Sequence, residues 1–287
     1  VTVTSSTLSG NKTLIYETSA TAARIQTGSG ADSILFQGAL SGSNQIETAS
    51  GNDSVRFLDN ASGLATFDLG YGADYVSAAA IFQNSSVSGG AGADTFIIST
   101  LSNAAIYGGG DADSINITGS LYGATVDFGA GNELFSLTVN GTTSTISGGS
   151  GNDTFVFGST GTLTSSLVDG GAGNDSITFG AALTGNTVSG GDGDDSLTFA
   201  ASVVSASVAG GDDTGSDLLV FSSTVSASAV NAGDGNDTIR LLSSVFNSTI
   251  DLGAGADSFS FTSTLATSTV LGGADADTLI FGSSAVF

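Results

Sequence analysis

One short stretch recurs along this chain and constrains its fold more than any other feature. Its clearest copy runs Gly148-Gly149-Ser150-Gly151-Asn152-Asp153-Thr154-Phe155-Val156-Phe157, a glycine-rich loop closed by an acid and followed by alternating polar and apolar residues. Close copies occupy 89–98, 170–179, 190–199 and 272–281. The closing acid recurs thirteen times, as Asp32, Asp53, Asp74, Asp94, Asp113, Glu133, Asp153, Asp175, Asp195, Asp217, Asp237, Asp257 and Asp277, at spacings of 19 to 22 residues. Two residues after it stands an apolar column that begins Ile34, Val55, Val76, Phe96 and ends at Leu279. Four residues after it a second column runs from Phe36 and Phe57 to Phe281, with Ala78 as its smallest member. Seven residues before it a third runs from Ile25 and Ile46 to Val270, with Val208 filling the place in one lengthened repeat. A looser fourth column includes Leu101, Leu121, Leu163, Leu183, Val225, Val245 and Leu265.

Apolar residues at period two mean a strand with one buried face. Each unit therefore reads as loop, strand, Ser/Thr/Ala-rich turn, strand. One unit cannot close a core, so the units must stack. The pattern predicts an all-β, parallel β-solenoid of about 13–14 rungs, each of about 20 residues, with like residues stacked on like. At about 4.8 Å per rung, it would extend roughly 60 Å. The absence of proline fits, because each proline would remove a ladder donor. A flexible Gly/Ser linker would not keep apolar columns in register.

The ends carry their own expectations. Counting 20 residues back from Asp32 reaches Lys12, with Gly10 in a loop-glycine position and Leu14 and Tyr16 in core columns. Residues 1–24 thus read as a degenerate N-terminal rung or cap, and 25–287 as a single solenoid of thirteen repeats. Lys12 would close the acidic column with its own positive charge. Residues 282–287 read as the start of a further rung. Ends at nearly the same phase, without an evident cap, suggest head-to-tail stacking of copies; a piece of a longer repeat protein would account for the same ends.

Charge and composition narrow the chemistry. The chain has 27 acidic and 4 basic residues, a net charge of −23, and no His, Cys, Met or Trp. This argues against nucleic acid and anionic membranes as partners and for a cation. Without His or Cys, zinc, haem and iron–sulfur sites have almost no ligands, and an oxygen-bound cation is expected, favouring Ca²⁺. No apolar run reaches the ~18 residues needed for membrane insertion as a helix. Stacked carboxylates would repel strongly at rung spacing. A Ca²⁺ between adjacent loops would remove that repulsion, taking oxygens from the column acids and from loop carbonyls. Thirteen loops leave about twelve gaps, hence about +24 from calcium against −23. The glycine two before the acid is present in eleven loops and replaced by Asp111 and Asp275 in two.

The unit GGxGxDxUx, with U apolar, resembles the calcium-binding nonapeptide of RTX (haemolysin-type) proteins. Residues 89–97, 148–156, 170–178 and 190–198 match it outright, and the resemblance extends over about 25–287. It implies calcium held between turns of a parallel β-roll, with the thirteen column acids as metal ligands beside loop carbonyls, in a secreted protein. Several departures matter. A turn here carries one nonapeptide, which implies calcium along one edge only. The first glycine is Thr27, Thr48, Leu69, Phe128, Ala232 or Leu252 in six loops, which departs from ideal geometry there. Glu133 is one methylene longer than Asp. The lengthened loop before Asp217 is expected to have its own coordination, through Asp212 or Asp213. Asp68, Asp127, Asp169 and Asp251 follow the buried column by one residue and should point outward as solubilising charges.

No enzyme constellation is present: the only basic residues are Lys12, Arg24, Arg56 and Arg240, and no nucleophile–base pair is available. The expected function is that of an extracellular, cell-surface structural protein: a surface layer, filament or adhesin stalk, self-associating end to end and in contact with surface polysaccharide. Two alternatives remain open. One is an ice- or carbohydrate-binding solenoid, suggested by the partial outward row Thr66, Thr125, Thr145, Thr187, Thr249 and Thr269. The other is the secretion and folding module of an exported enzyme.

Overall fold

The computed structural model describes residues 2–4, 10–211 and 213–282. The chain is an all-β parallel solenoid of about thirteen turns, with no helix among the described residues. It divides into two units, Val1–Thr138 and Val139–Phe287. Within each, a typical turn repeats three strand segments, two of which run together as Tyr75–Gln83 and Thr95–Ser102 in two turns of the first unit.

In the first unit, one row of parallel strands carries the in-register column Ile25, Ile46, Phe67, Val87, Ile106 and Val126. A second row carries Leu14, Ile34, Val55, Val76, Phe96, Ile115 and Phe135. Thr13–Tyr16 pairs in parallel with Ser33–Phe36, so Lys12 stands in the acid's place in its turn. In the second unit the corresponding columns run Ile146 to Val270 and Phe155 to Leu279. The Ser/Thr/Ala-rich turn is not a plain turn. It holds a third short strand, such as Ala182–Thr184 or Val225–Ser226, whose inward residue supplies the fourth column. The proposed further rung at 282–287 lies outside the described residues, apart from Gly282.

Stacking like on like produces face-to-face rings. Phe36 and Phe57 stack at 5.2 Å, and Phe157, Phe179, Phe199 and Phe221 follow at 4.5, 5.1 and 4.6 Å between neighbours. Ala78 interrupts the ring column in the first unit. Phe67 and Phe82, from two other columns, turn their rings into the space it leaves and meet Phe57 edge-on. Each buried Phe contributes roughly 1.5–3 kcal/mol, so the columns supply the favourable free energy on which the polar edges depend.

At the edge opposite the glycine loops, the corner residue is always small: Ala23, Asn44, Ala65, Ser85, Ala104, Ala124, Ser144, Ser166, Asn186, Ala206, Ser228, Ser248 or Ser268. At Asn44, Ser166, Asn186, Ser228, Ser248 and Ser268 the side-chain oxygen accepts the N–H of the matching residue one turn earlier, whereas the Ser85 hydroxyl donates to the Gly63 and Gln83 carbonyls. Ala23 N–H donates to Asn44 Oδ1 at 2.7 Å, Ser166 N–H to Asn186 Oδ1 at 2.8 Å and Ser228 N–H to Ser248 Oγ at 3.1 Å. A buried amide that the corner would otherwise leave unpaired is thereby satisfied.

The glycine loops are built by backbone crowding. Gly235 has φ 135°, and a β-carbon there would lie 1.7 Å from the carbonyl oxygen of Gly215. Asp111 and Asp275 show what a side chain at this position demands, a shift of φ to 71° and 76° in the left-handed well. Gly235→Ala is therefore expected to lower stability by about 2–4 kcal/mol, read as the thermal midpoint of the calcium-loaded protein. An unchanged midpoint would mean that the loops are looser than this packing implies.

Candidate metal centre

The acidic column is buried, not a solvated edge. Asp32, Asp53, Asp74, Asp94, Asp113 and Glu133 in the first unit are each about 2% exposed or less, as are Asp153, Asp175, Asp195, Asp217, Asp237 and Asp257 in the second. Asp277, in the last described turn, is half-buried. Strand alternation puts these side chains on the same inward face as the two apolar columns that follow.

The two oxygens of the Asp carboxylates in this column have different surroundings. Oδ1 accepts the backbone N–H of the column residue one turn earlier. Thus Asp32 N–H donates to Asp53 Oδ1 at 2.7 Å, Asp74 N–H to Asp94 at 2.7 Å, Asp175 N–H to Asp195 at 2.7 Å and Asp195 N–H to Asp217 at 2.8 Å. Oδ2 is buried without a hydrogen-bond partner in Asp32, Asp53, Asp74, Asp94, Asp113, Asp175, Asp195, Asp217, Asp237 and Asp257. A neighbouring row of Asn residues on the solvent side forms a ladder of opposite polarity. Asn52, Asn152, Asn174 and Asn236 each accept, through Oδ1, an N–H from the following turn.

Glycine in the first loop position leaves an oxygen-lined cradle beside Oδ2. A β-carbon on Gly148 would meet Asp153 Oδ2 at 2.1 Å and the Gly170 carbonyl oxygen of the next turn at 2.1 Å. On Gly190 the corresponding distances are 2.3 Å to Asp195 Oδ2 and 2.5 Å to the Gly210 carbonyl. Where the first position is not glycine, its side chain packs in the interior, as with Leu69, Phe128 and Leu252. Thr48 instead donates its hydroxyl to the Leu69 carbonyl at 2.9 Å.

No three acidic side chains converge on one point among the described residues, so most ligands of a cation here would be backbone carbonyls. Lys12 shows that such oxygens gather around positive charge. Its ammonium donates to the Gly10 and Ser29 carbonyls at 2.8 and 3.1 Å and lies 3.5 Å from Asp32 Oδ1. A buried carboxylate oxygen beside several carbonyls, with no nitrogen or sulfur ligand, fits a hard cation with six or more oxygen ligands. Ca²⁺ bound there would neutralise the column. The chain's own residues supply the oxygens, keep water out and fix Oδ2 by tying Oδ1 to the preceding turn.

Without a cation the column resists ionisation. Burial raises the carboxyls of Asp74, Asp94, Asp175, Asp195 and Asp237 to about 7 and those of Asp113 and Asp217 to about 6. The amide bond to Oδ1 opposes that rise, and neighbouring carboxylates add to it. These folded-state values exceed the unfolded value of about 3.9, so the metal-free fold retains protons that the unfolded chain releases. Its stability is greatest below about pH 4 and is lost as pH rises to about 7. In EDTA, β structure is therefore expected to form on acidification through this window, as followed by circular dichroism. Metal-free protein that unfolds on acidification instead would contradict the burial account.

Of the outward acids, Asp68 is exposed, whereas Asp127, Asp169 and Asp251 are half-buried. Burial, and then Asp192, raises the Asp169 carboxyl. The lengthened loop places the Asp213 carboxylate at the site edge; Asp212 lies outside the described residues. The amide ladder on Oδ1 and the Asn ladder beside it were not predicted from the sequence. Their signal is the recurrence of Asn immediately before the column acid.

The sequence carries RTX calcium-binding nonapeptide repeats (4 copies in the family pattern), matched at residues 143–159, 160–181 and 184–200. These spans hold the glycine-first loops of Asp153, Asp175 and Asp195. No curated protein matches the sequence. Among solved structures, the fold is similar to the X-ray crystal structure of a hyperactive, Ca²⁺-dependent, β-helical antifreeze protein from an Antarctic bacterium. The TM-score is 0.66 at 23% identity, over 94% of this chain and 83% of that one.

Proposed function

We propose that this calcium-binding solenoid is an extracellular structural element, a segment made rigid by calcium in a surface layer, filament or adhesin stalk. The observation that carries this reading is that the polar chemistry faces inward and repeats in nearly every turn. Buried carboxylates and carbonyls serve the stacking itself. The outward columns are irregular by contrast, with Thr66, Ser86, Ala105 and Thr125 in one row and Arg56, Ser77, Ile97 and Asn116 in another. A catalytic role has no support in such surfaces. RTX repeats are typical of secreted proteins, and no helix among the described residues is long and apolar enough to cross a membrane.

A calcium titration of folding tests the extracellular part. A midpoint of about 0.1–1 mM fits extracellular calcium modules, whereas a submicromolar midpoint would place the protein with intracellular calcium binders. A second copy is the partner of matching chemistry, because parallel turns stack by one rule. Filaments in calcium by electron microscopy support this self-association, and dispersed particles count against it.

A second reading is favoured by the fold neighbour, a Ca²⁺-dependent, β-helical antifreeze protein. The outward row Thr145, Thr187, Thr249 and Thr269 would be the candidate ice- or glycan-binding face, although Leu167, Ser207 and Ala229 break it. Thermal hysteresis, or retention on a glycan array, would promote this reading over the structural one.

A further inference from the structure

The lengthened loop at 210–217 departs from the repeat in one chemical respect. In ordinary turns the N–H of the glycine two before the acid donates to a backbone carbonyl of the next turn. Gly151 donates to Ala172 O, Gly173 to Asp192 O and Gly235 to Ala254 O, each at 2.7 Å. Gly193 has a different partner: its N–H donates to the side-chain Oδ2 of Asp213 at 2.8 Å. The two extra residues displace the backbone carbonyl, and a carboxylate takes its place.

The other oxygen, Asp213 Oδ1, is buried and has no hydrogen-bond partner. A β-carbon on Gly215 would lie 3.1 Å from it and 2.1 Å from the Gly193 carbonyl oxygen. On Gly211 the distances would be 3.3 Å to Asp213 Oδ1 and 1.9 Å to the Gly191 carbonyl oxygen. Oδ1 therefore lies beside Gly211 and Gly215, the two glycines pressed against the Gly191 and Gly193 carbonyls of the preceding turn. The column acids Asp195 and Asp217 are each 2% exposed, and both have an unpartnered, buried Oδ2.

We propose that Asp213 is a calcium ligand in the gap between the turns of Asp195 and Asp217. Its carboxylate stands where an ordinary loop offers a carbonyl, which makes this gap the tightest calcium site of the chain. The inference rests on the calcium reading of the column. Affinity at oxygen sites rises with ligand charge, and at the edge of this gap a carboxylate stands where neighbouring loops offer a neutral carbonyl. The nonapeptide pattern assigns no role to residue 213.

Chelator-competition titrations of the whole chain test this, with circular dichroism confirming the fold at saturating calcium. Wild type should retain one calcium most tightly. Asp213→Asn keeps an acceptor for Gly193 N–H but removes the charge, and should weaken that one site by about tenfold while leaving the others unchanged. Deleting residues 212 and 213 leaves Gly-Gly-Thr-Gly-Ser-Asp, an ordinary loop, and should bring the same site to the affinity of its neighbours. Wild-type-like titrations from both variants would overturn the assignment while leaving calcium binding intact. A wild-type chain that takes up no calcium would overturn the calcium reading itself.

Discussion

Chelating calcium at about pH 7.5 is expected to abolish most of the β-sheet signal, and restoring millimolar Ca²⁺ to return it. The reason lies in the balance of two buried sets. Stacked rings and aliphatic columns favour the fold. Against them stand the column carboxyls, five of which are raised to about 7 by burial. A carboxyl held at about 7 against about 3.9 in the unfolded chain opposes folding at neutral pH by on the order of 4 kcal/mol. The net stability of a typical domain is only ~5–15 kcal/mol, so a set of such groups is large enough to decide whether the metal-free chain folds at neutral pH. A cation at Oδ2 removes that opposition and converts the same oxygens into ligands. Circular dichroism in EDTA, and then in calcium, reads the effect. A β spectrum and thermal midpoint unchanged by EDTA at neutral pH would sink this account of the column.

The second large effect is a change of sign at a single position. Asp195 Oδ1 accepts Asp175 N–H at 2.7 Å, while its Oδ2 is buried and unpartnered. Asp195→Asn keeps the first contact and removes the charge. With calcium saturating, the variant should lose about 2–3 kcal/mol, the stabilisation of one site at ~100-fold excess over its dissociation constant. In EDTA it should gain stability, because one buried charge has gone, and its acid-induced folding transition should move to higher pH. Asp195→Ala should lose stability in calcium by more than the Asn variant, since Asp175 N–H is then left buried and unpaired at a further cost of ~1–3 kcal/mol. Thermal and pH unfolding of the three proteins, with and without calcium, decide the matter. An Asn variant as stable as wild type in both conditions would show that Asp195 acts only through its amide contact.

The turns were legible in the sequence because period-two alternation and a fixed repeat length survive without knowledge of contacts. Ile34, Val55, Val76 and Phe96 announce a stacked column by chemistry alone. The third strand was not legible, because two- and three-residue segments such as Leu40–Ser41 and Gly141–Thr142 have no period to detect. The acid column stood out as a recurrence, but the division of labour between Oδ1 and Oδ2 depends on which N–H of the preceding turn faces which oxygen. Register at that level is set by the bends of the loop. The opposite corner was hidden by its variety. Ala, Ser and Asn alternate there, and only their small size and lack of charge link Ala23, Asn44, Ser166 and Ser248. Asp213 was one of two acids in an irregular loop, and only the bond from Gly193 N–H singles it out.

The central claim is that calcium lies against the unpartnered Oδ2 atoms of the acid column. Crystals of the calcium-loaded protein, measured for anomalous scattering, test it most directly. Anomalous peaks should follow the glycine-loop edge at a spacing of about 4.8 Å, each beside a column Oδ2 and loop carbonyls. Peaks elsewhere on the surface, or an empty column in millimolar calcium, would contradict it.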